Sequence, residues 1–256
     1  MNLPFVFLLL LFGHVVGDFY LQTNRMAEKK NECWGWFVGH GAIYTMCMAI
    51  ILFLGVAPEK NLLWMFLFVA GTHIAIDLVK RCLKSQKQMK QIMRRMMKRI
   101  FILDQLAHLL SLGIAWFVWG SNLLMSGWAM ELSVFISRKH LVMLLGLLIV
   151  LRPIGLLIKY GDIWDLSKKG KTASKSQKGA GEMIGYLERI IIFFMLVYGQ
   201  FAAISFVIAA KSVMRFPEIS RQNKRKGALA EYYLIGTLLS VTSVFAVSLL
   251  LGLIGI

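Results

Sequence analysis

The sequence predicts an all-α, polytopic transmembrane bundle of about 7–8 membrane helices, and three observations lead there. First, 58% of the 256 residues are hydrophobic and only 16% are charged, with a mean hydropathy of +0.67. Soluble domains carry about 25% charged residues, and a soluble fold could not cover so much apolar mass with so few charges. Second, apolar stretches near the ~20 residues needed to cross ~30 Å of hydrocarbon recur along the chain. Third, the basic residues gather between those stretches, in the alternating pattern that orients membrane helices. The same composition excludes disorder.

The elements follow in order. The opening MNLPFVFLLLLFGHVVGDF has no basic n-region and no A-x-A-like site, so residues 3–20 read as a retained first span. Further spans are expected at 35–56, 61–79, 100–120, 139–158 and 228–254. The long apolar region 183–210 holds Gly199-Gln200 near its middle and reads as one tilted helix or, preferably, a hairpin. The whole of 1–256 is expected to be one integral-membrane domain, with a four-helix half over 1–120 and C-terminal helices over 139–256.

Loop 80–99 carries nine basic residues and no acidic one, the strongest cytoplasmic signal in the chain. Its Met89, Ile92, Met93, Met96 and Ile100 share one side, which predicts an amphipathic helix lying on anionic headgroups. Counting outward, loops 21–34 and 159–180 fall on the same side and are also basic, while 57–60 and 121–138 fall outside and are nearly neutral. The basic stretch 211–227 joins the cytoplasmic side only if 183–210 is a hairpin. The formal charge of +16 therefore points to the bilayer as the negative partner, and nucleic acid is disfavoured because interleaved aromatics are missing. Cys33, Cys47 and Cys82 form no CxxC pair and no disulfide framework.

The chemistry lies in three pairs at a spacing of four: His14 with Asp18, His73 with Asp77, and Asp104 with His108. Residues four apart share a helix face. The reversed order in the fourth span offsets its reversed direction, so the three Asp lie toward the cytoplasm and the three His one turn (~5–6 Å) deeper. His40 starts the second span at a similar depth. Four helices thus deliver four His and three Asp to one slab. Interfacial residues snorkelling to headgroups are the plainer account; ionisable groups inside a membrane are expensive and usually functional. His beside carboxylate matches the ligands of Zn²⁺, with Mn²⁺ or Fe²⁺ as alternatives. The metal set is then His14, Asp18, His40, His73, Asp77, Asp104 and His108, with Asp18, Asp77 and Asp104 as ligands, orienters of the His or the general base. Seven groups suit a two-metal site, or one ion with Asp orienting each His. Gly13, Gly17, Gly39, Gly41 and Gly71 surround them, as close helix packing or ordinary membrane composition would have it.

Gln22 adds an amide at the membrane exit, for substrate or merely for water. A second polar cluster holds Arg152, Glu182, Glu188 and Arg189. Arg152 with Glu188 is the expected structural pair, and Arg152 or Arg189 the alternative holder of an anionic substrate group.

The segments GHVVGDFYLQT, THIAIDLVK, DQLAHL, IGYLERIIIF and EYYLIGTLLS together resemble a bacterial inner-membrane family described as a domain of unknown function. That resemblance covers most of the chain and implies a multi-pass protein of the bacterial inner membrane, with no activity attached. The His/Asp pattern within 14–108 is also similar to that of membrane-bound metal-dependent hydrolases, which implies that histidines and aspartates of the first helices are ligands. No HExxH is present, which disfavours a zincin-type protease. The expected function is a metal-dependent hydrolase acting on a lipid-linked or membrane-proximal substrate at the cytoplasmic leaflet. The alternatives are a divalent-cation transporter using HxxxD pairs, against which stand the shallow site and the absence of a repeat, and a non-catalytic subunit that recruits a partner.

Overall fold

The computed structural model describes residues 4–85, 97–135, 137–159, 175–221 and 226–254. Its elements are helical: α1 (Phe5–Val15), α2 (Asn24–Lys29), α3 (Trp34–Gly55), α4 (Lys60–Ser85), α5 (Met97–Ala115), α6 (Gly127–Phe135), α7 (Arg138–Lys159), α8 (Lys175–Val197), α9 (Phe201–Arg221) and α10 (Lys226–Leu250). Four helices are long and apolar enough to cross a membrane among the described residues, at Trp34–Gly55, Lys60–Lys84, Arg99–Gly120 and Arg138–Lys159. Phe5–Tyr20, Phe201–Val213 and Leu234–Leu250 are apolar but shorter. The greater part of the expected amphipathic helix in loop 80–99, residues 86–96, lies outside the described residues.

Two compact units emerge, Asn2–Leu145 and Gly146–Ile256. In the first, α1 packs on α3, α3 on α4, α4 on α5, and α5 returns to α1, which closes a four-helix bundle. Its interior at one end is apolar and tight: Leu10, Met48, Leu52, Leu62, Met65 and Leu112 are almost wholly buried. Its outer surface is apolar too, with Val38, Met46, Trp64, Leu103, Leu110 and Phe117 exposed. Burying apolar groups cannot by itself hold helices together in lipid, so close packing must do it. Glycine provides that closeness between α1 and α3, since a Cβ at Gly13 would meet Met48 Sδ at 2.9 Å and one at Gly17 would meet Tyr44 Cδ2 at 2.9 Å. Gly39 and Gly71 face open space and have no such role. A short link ties the apolar end, where Ala57 N donates to Leu124 O (3.0 Å) and Ser126 N to Gly55 O (3.1 Å).

At the opposite end α1 continues into a π-helical turn, Val16–Tyr20, with Leu21 N donating to Val16 O at 2.9 Å. Such turns often mark functional positions, and this one carries Asp18. Thr23 then caps α2 by accepting from Met26 N at 3.2 Å.

In the second unit, α8, α9 and α10 pack on one another. Region 183–210 is not one helix: it breaks between Val197 and Phe201, and Gly199 takes a positive φ of 68° that a side chain would strain. Lys211 on α9 pairs with Glu188 on α8 at 2.5 Å, equally far from the turn, so the two helices form an antiparallel hairpin.

Candidate metal centre

The four-helix unit gathers most of the anticipated groups at its polar end. His40 from α3 is the hub. Its Nε2 lies 3.3 Å from Asp18 Oδ1 and 3.3 Å from Asp77 Oδ2, and 3.3 Å from His73 Nε2. His73 Nε2 is 3.9 Å from Asp77 Oδ2, one turn along the same helix. One ligand atom each from Asp18, His40 and His73 fall within 4.8 Å of one another. All four side chains are buried.

The donor count of this arrangement does not close. A neutral imidazole carries at most one hydrogen on Nε2, yet two carboxylate oxygens and a second ring nitrogen crowd His40 Nε2 at one distance. Without that hydrogen, its lone pair faces two carboxylates. Zinc bonds to N and O of about 2.0–2.1 Å give a tetrahedral edge of roughly 3.3–3.4 Å, the spacing that three of these contacts show. The donor set of two imidazoles and two carboxylates fits a borderline divalent ion such as Zn²⁺.

His108 adds a further free lone pair. Its Nδ1 donates to Asp104 O at 2.7 Å, which leaves Nε2 the acceptor, and that atom is buried without a partner. Its ring centre lies 4.6 Å from that of His73 and 5.2 Å from that of His14. A backbone carbonyl fixing one ring nitrogen so that the other can bind is the usual device of metal-binding histidines.

His14 stands beside these rings, 6.2 Å from His73 between centres, but both its nitrogens are engaged. Nε2 faces Gln105 Oε1 at 3.3 Å and Nδ1 faces Tyr44 Oη at 3.3 Å. Because an amide oxygen only accepts, Nε2 carries the hydrogen and Nδ1 accepts from the tyrosine. Gln105 Nε2 in turn donates to Asp18 Oδ2 at 3.3 Å. A directional chain from Tyr44 through His14 and Gln105 therefore holds the second oxygen of Asp18. The Tyr44 ring also stacks flat on His73 with centres 3.4 Å apart.

Asp104 Oδ2 accepts chiefly from Lys80 Nζ at 2.5 Å and, at 3.5 Å, from the same Gln105 Nε2. Lys30 from the connection after α2 closes the mouth: Nζ donates to Asp77 Oδ2 at 2.7 Å and lies 3.9 Å from Asp18 Oδ1. Gln22 faces inward to this ammonium, its amide oxygen accepting from Lys30 Nζ (2.9 Å) and its nitrogen donating to Asp18 O (3.1 Å). Arg81 latches the connection by donating to Lys30 O at 2.6 Å and Glu32 O at 3.4 Å, with its guanidinium 4.3 Å over the Trp34 ring.

Lys30, Tyr44, Lys80, Arg81 and Gln105 are the neighbours of the cluster that sequence reasoning passed over. Some were signalled: Tyr44 stands four residues after His40, and Lys80 and Arg81 three and four after Asp77. In the other unit, Glu188 pairs with Lys211, a residue to which the sequence assigned no chemistry. Arg189 is buried over the Tyr186 ring. Arg152 is half-buried on α7.

Among curated proteins and solved structures, none matches the chain. A family described as "Protein of unknown function (DUF3307)" matches residues 6–137. The match spans α1 to α6 and every residue of the His/Asp cluster. The chain belongs to the DUF3307 family.

Proposed function

We propose that this chain is a multi-pass protein of the bacterial inner membrane, with about 7–8 spans once the shorter apolar helices are counted. In this reading it is a metal-dependent hydrolase. Asp18, His40, His73 and Asp77 hold a divalent ion, Zn²⁺ first and Mn²⁺ or Fe²⁺ next. The observation that carries the reading is His40 Nε2, set 3.3 Å from two carboxylate oxygens and a second ring nitrogen, with at most one hydrogen of its own to share. A cation among them satisfies all four groups at once.

The ion would polarise a scissile carbonyl or phosphoryl and lower the pKa of a bound water. The buried lone pair of His108 Nε2 suits it to take that water's proton, with Asp104 O already fixing the ring. Tyr44, His14 and Gln105 hold Asp18 in register. Asp104, neutralised by Lys80, sets the local charge. Access is from the Lys30 side, the cytoplasmic leaflet by the charge of the loops, where a lipid-linked or membrane-proximal substrate presents its headgroup. The packed apolar interior beyond the cluster weighs against a through-path for ions, and hence against the transporter.

Metal content of detergent-purified protein tests the centre. Wild type is expected to hold about one Zn²⁺ per chain after loading and desalting, and His40→Ala and His73→Ala to lose it. His140→Ala, an exposed control beside Ser137, keeps it. A wild type without bound metal ends the proposal. Metal-dependent cleavage of ester and phosphoester lipids in micelles, set against Zn²⁺ flux into sealed vesicles, separates hydrolase from transporter.

A further inference from the structure

We infer that Arg189 in the Gly146–Ile256 unit is an oxyanion site that takes a phosphate group, in the membrane that of an anionic phospholipid. The argument starts from charge. Arg189 is buried, 6% exposed as a residue, and its Nε is buried with no hydrogen-bond partner. The two acidic residues described on its own helix lie near enough to act on it through space, but each makes its ion pair with a lysine. Glu188 holds Lys211 at 2.5 Å across the hairpin, and Glu182 faces Lys159 at 3.9 Å on the exposed surface. No ion pair of Arg189 exists among the described residues. Arginine does not shed its proton in proteins, so the buried charge calls for a counter-ion, and a charge stranded in an apolar interior is strongly destabilising.

The surroundings are shaped for a flat fork. One face lies over the Tyr186 ring, 5.0 Å from its centre. The terminal nitrogens lie against glycines: a Cβ at Gly155 would come within 3.2 Å of Nη2, and one at Gly185 within 3.4 Å of Nη1. Any larger residue at either position would press on the edges by which a guanidinium grips two oxygens of a phosphate. A lysine offers no such planar fork. The two sources of this chemistry are a lipid phosphate and a free phosphate ion. The position on a helix hairpin between apolar faces favours the lipid.

The test uses the full chain, delipidated in neutral detergent, with dioleoyl phosphatidylglycerol, inorganic phosphate and dioleoylglycerol as probes. Native mass spectrometry reads the bound lipid, and thermal unfolding reads the stabilisation. Wild type should retain phosphatidylglycerol and gain stability from it, and dioleoylglycerol should do neither. Arg189→Met should weaken retention about tenfold or more, equivalent to about 1.4 kcal/mol, and Arg189→Lys less. Gly155→Val keeps the charge but fills the cradle, and should weaken retention as well. Stabilisation by inorganic phosphate alone, dependent on Arg189, would support the oxyanion site with a free ion as its occupant. The proposal is overturned if neither probe stabilises wild type. It is overturned equally if phosphatidylglycerol binds no better than dioleoylglycerol while inorganic phosphate gives no stabilisation that depends on Arg189, or if phosphatidylglycerol binds as well to Arg189→Met as to wild type. The wild-type comparison decides the matter even where a variant fails to fold.

Discussion

In the proposed metal centre, Lys30 and the ion would compete for the same oxygens. Its ammonium touches Asp77 Oδ2 at 2.7 Å and approaches Asp18 Oδ1 at 3.9 Å, so two buried carboxylates share one fixed positive charge. Replacing it with methionine strands them. In metal-stripped protein, Lys30→Met should lower stability by about 3–5 kcal/mol, the usual cost of breaking a buried pair. Zinc at a hundredfold excess over its Kd should return about 2.7 kcal/mol. The variant's zinc affinity should rise, because the ion no longer displaces an ammonium. Thermal unfolding with chelator and with zinc reads both effects; an equal loss in each condition would mean that Lys30 and the metal do not share a site. Gln105 tests a different link. Gln105→Leu removes the amide between His14 and Asp18, so metal binding should weaken about tenfold with the helices intact by circular dichroism. Unchanged affinity would make the chain from Tyr44 to Asp18 merely structural.

At the scale of the helix, α1 and α3 meet through two glycines whose neighbours differ in freedom. The atom that a Cβ at Gly13 would strike is the thioether of Met48, a flexible side chain that can turn aside. The atom facing Gly17 belongs to the Tyr44 ring, which is pinned by stacking on His73 and by its bond to His14. Gly13→Ala should therefore cost under about 1 kcal/mol, and Gly17→Ala about 1–3 kcal/mol through overpacking. Only Gly17→Ala should also reduce bound zinc, measured on the same purified samples. Equal behaviour of the two would show that Tyr44 has room to move. The α8–α9 hairpin rests on another glycine. At φ 68°, Gly199→Val should lose about 1–2 kcal/mol, read as a lower melting temperature.

Over the whole molecule, the topology can be read with the native thiols. Cys33 and Cys82 are exposed and Cys47 is buried. Arg81 holds the backbone of residues 30 and 32, which puts Cys33 and Cys82 at one end of the four-helix unit. In the proposed topology, the basic loops put that end in the cytoplasm. A membrane-impermeant maleimide should therefore label neither thiol from outside intact cells and both in inverted vesicles, and Cys47 only after denaturation. Labelling of Cys33 from outside would invert the chain and move the metal centre to the other leaflet.

From the sequence alone it follows that the chain is helical and rich in apolar stretches, that His and Asp four apart share a face on three helices, and that His40 stands near the same end of a fourth. Periodicity and charge are local properties, so they survive without coordinates. Tertiary structure decided which groups meet. Asp18 and Asp77 face His40, while Asp104, equal to them in spacing, is drawn to Lys80. His14, equal to His73 and His108 as a candidate ligand, is consumed by Gln105 and Tyr44. Helical spacing sets a face but not the rotation of that face against its neighbours. That rotation follows from close packing, such as Gly13 and Gly17 against α3, and from the π turn that re-aims Asp18. Lys30 and Arg81 belong to basic stretches that read as headgroup contacts. Only the fold of the short connection after α2 turns one of them into the centre and uses the other to hold it there.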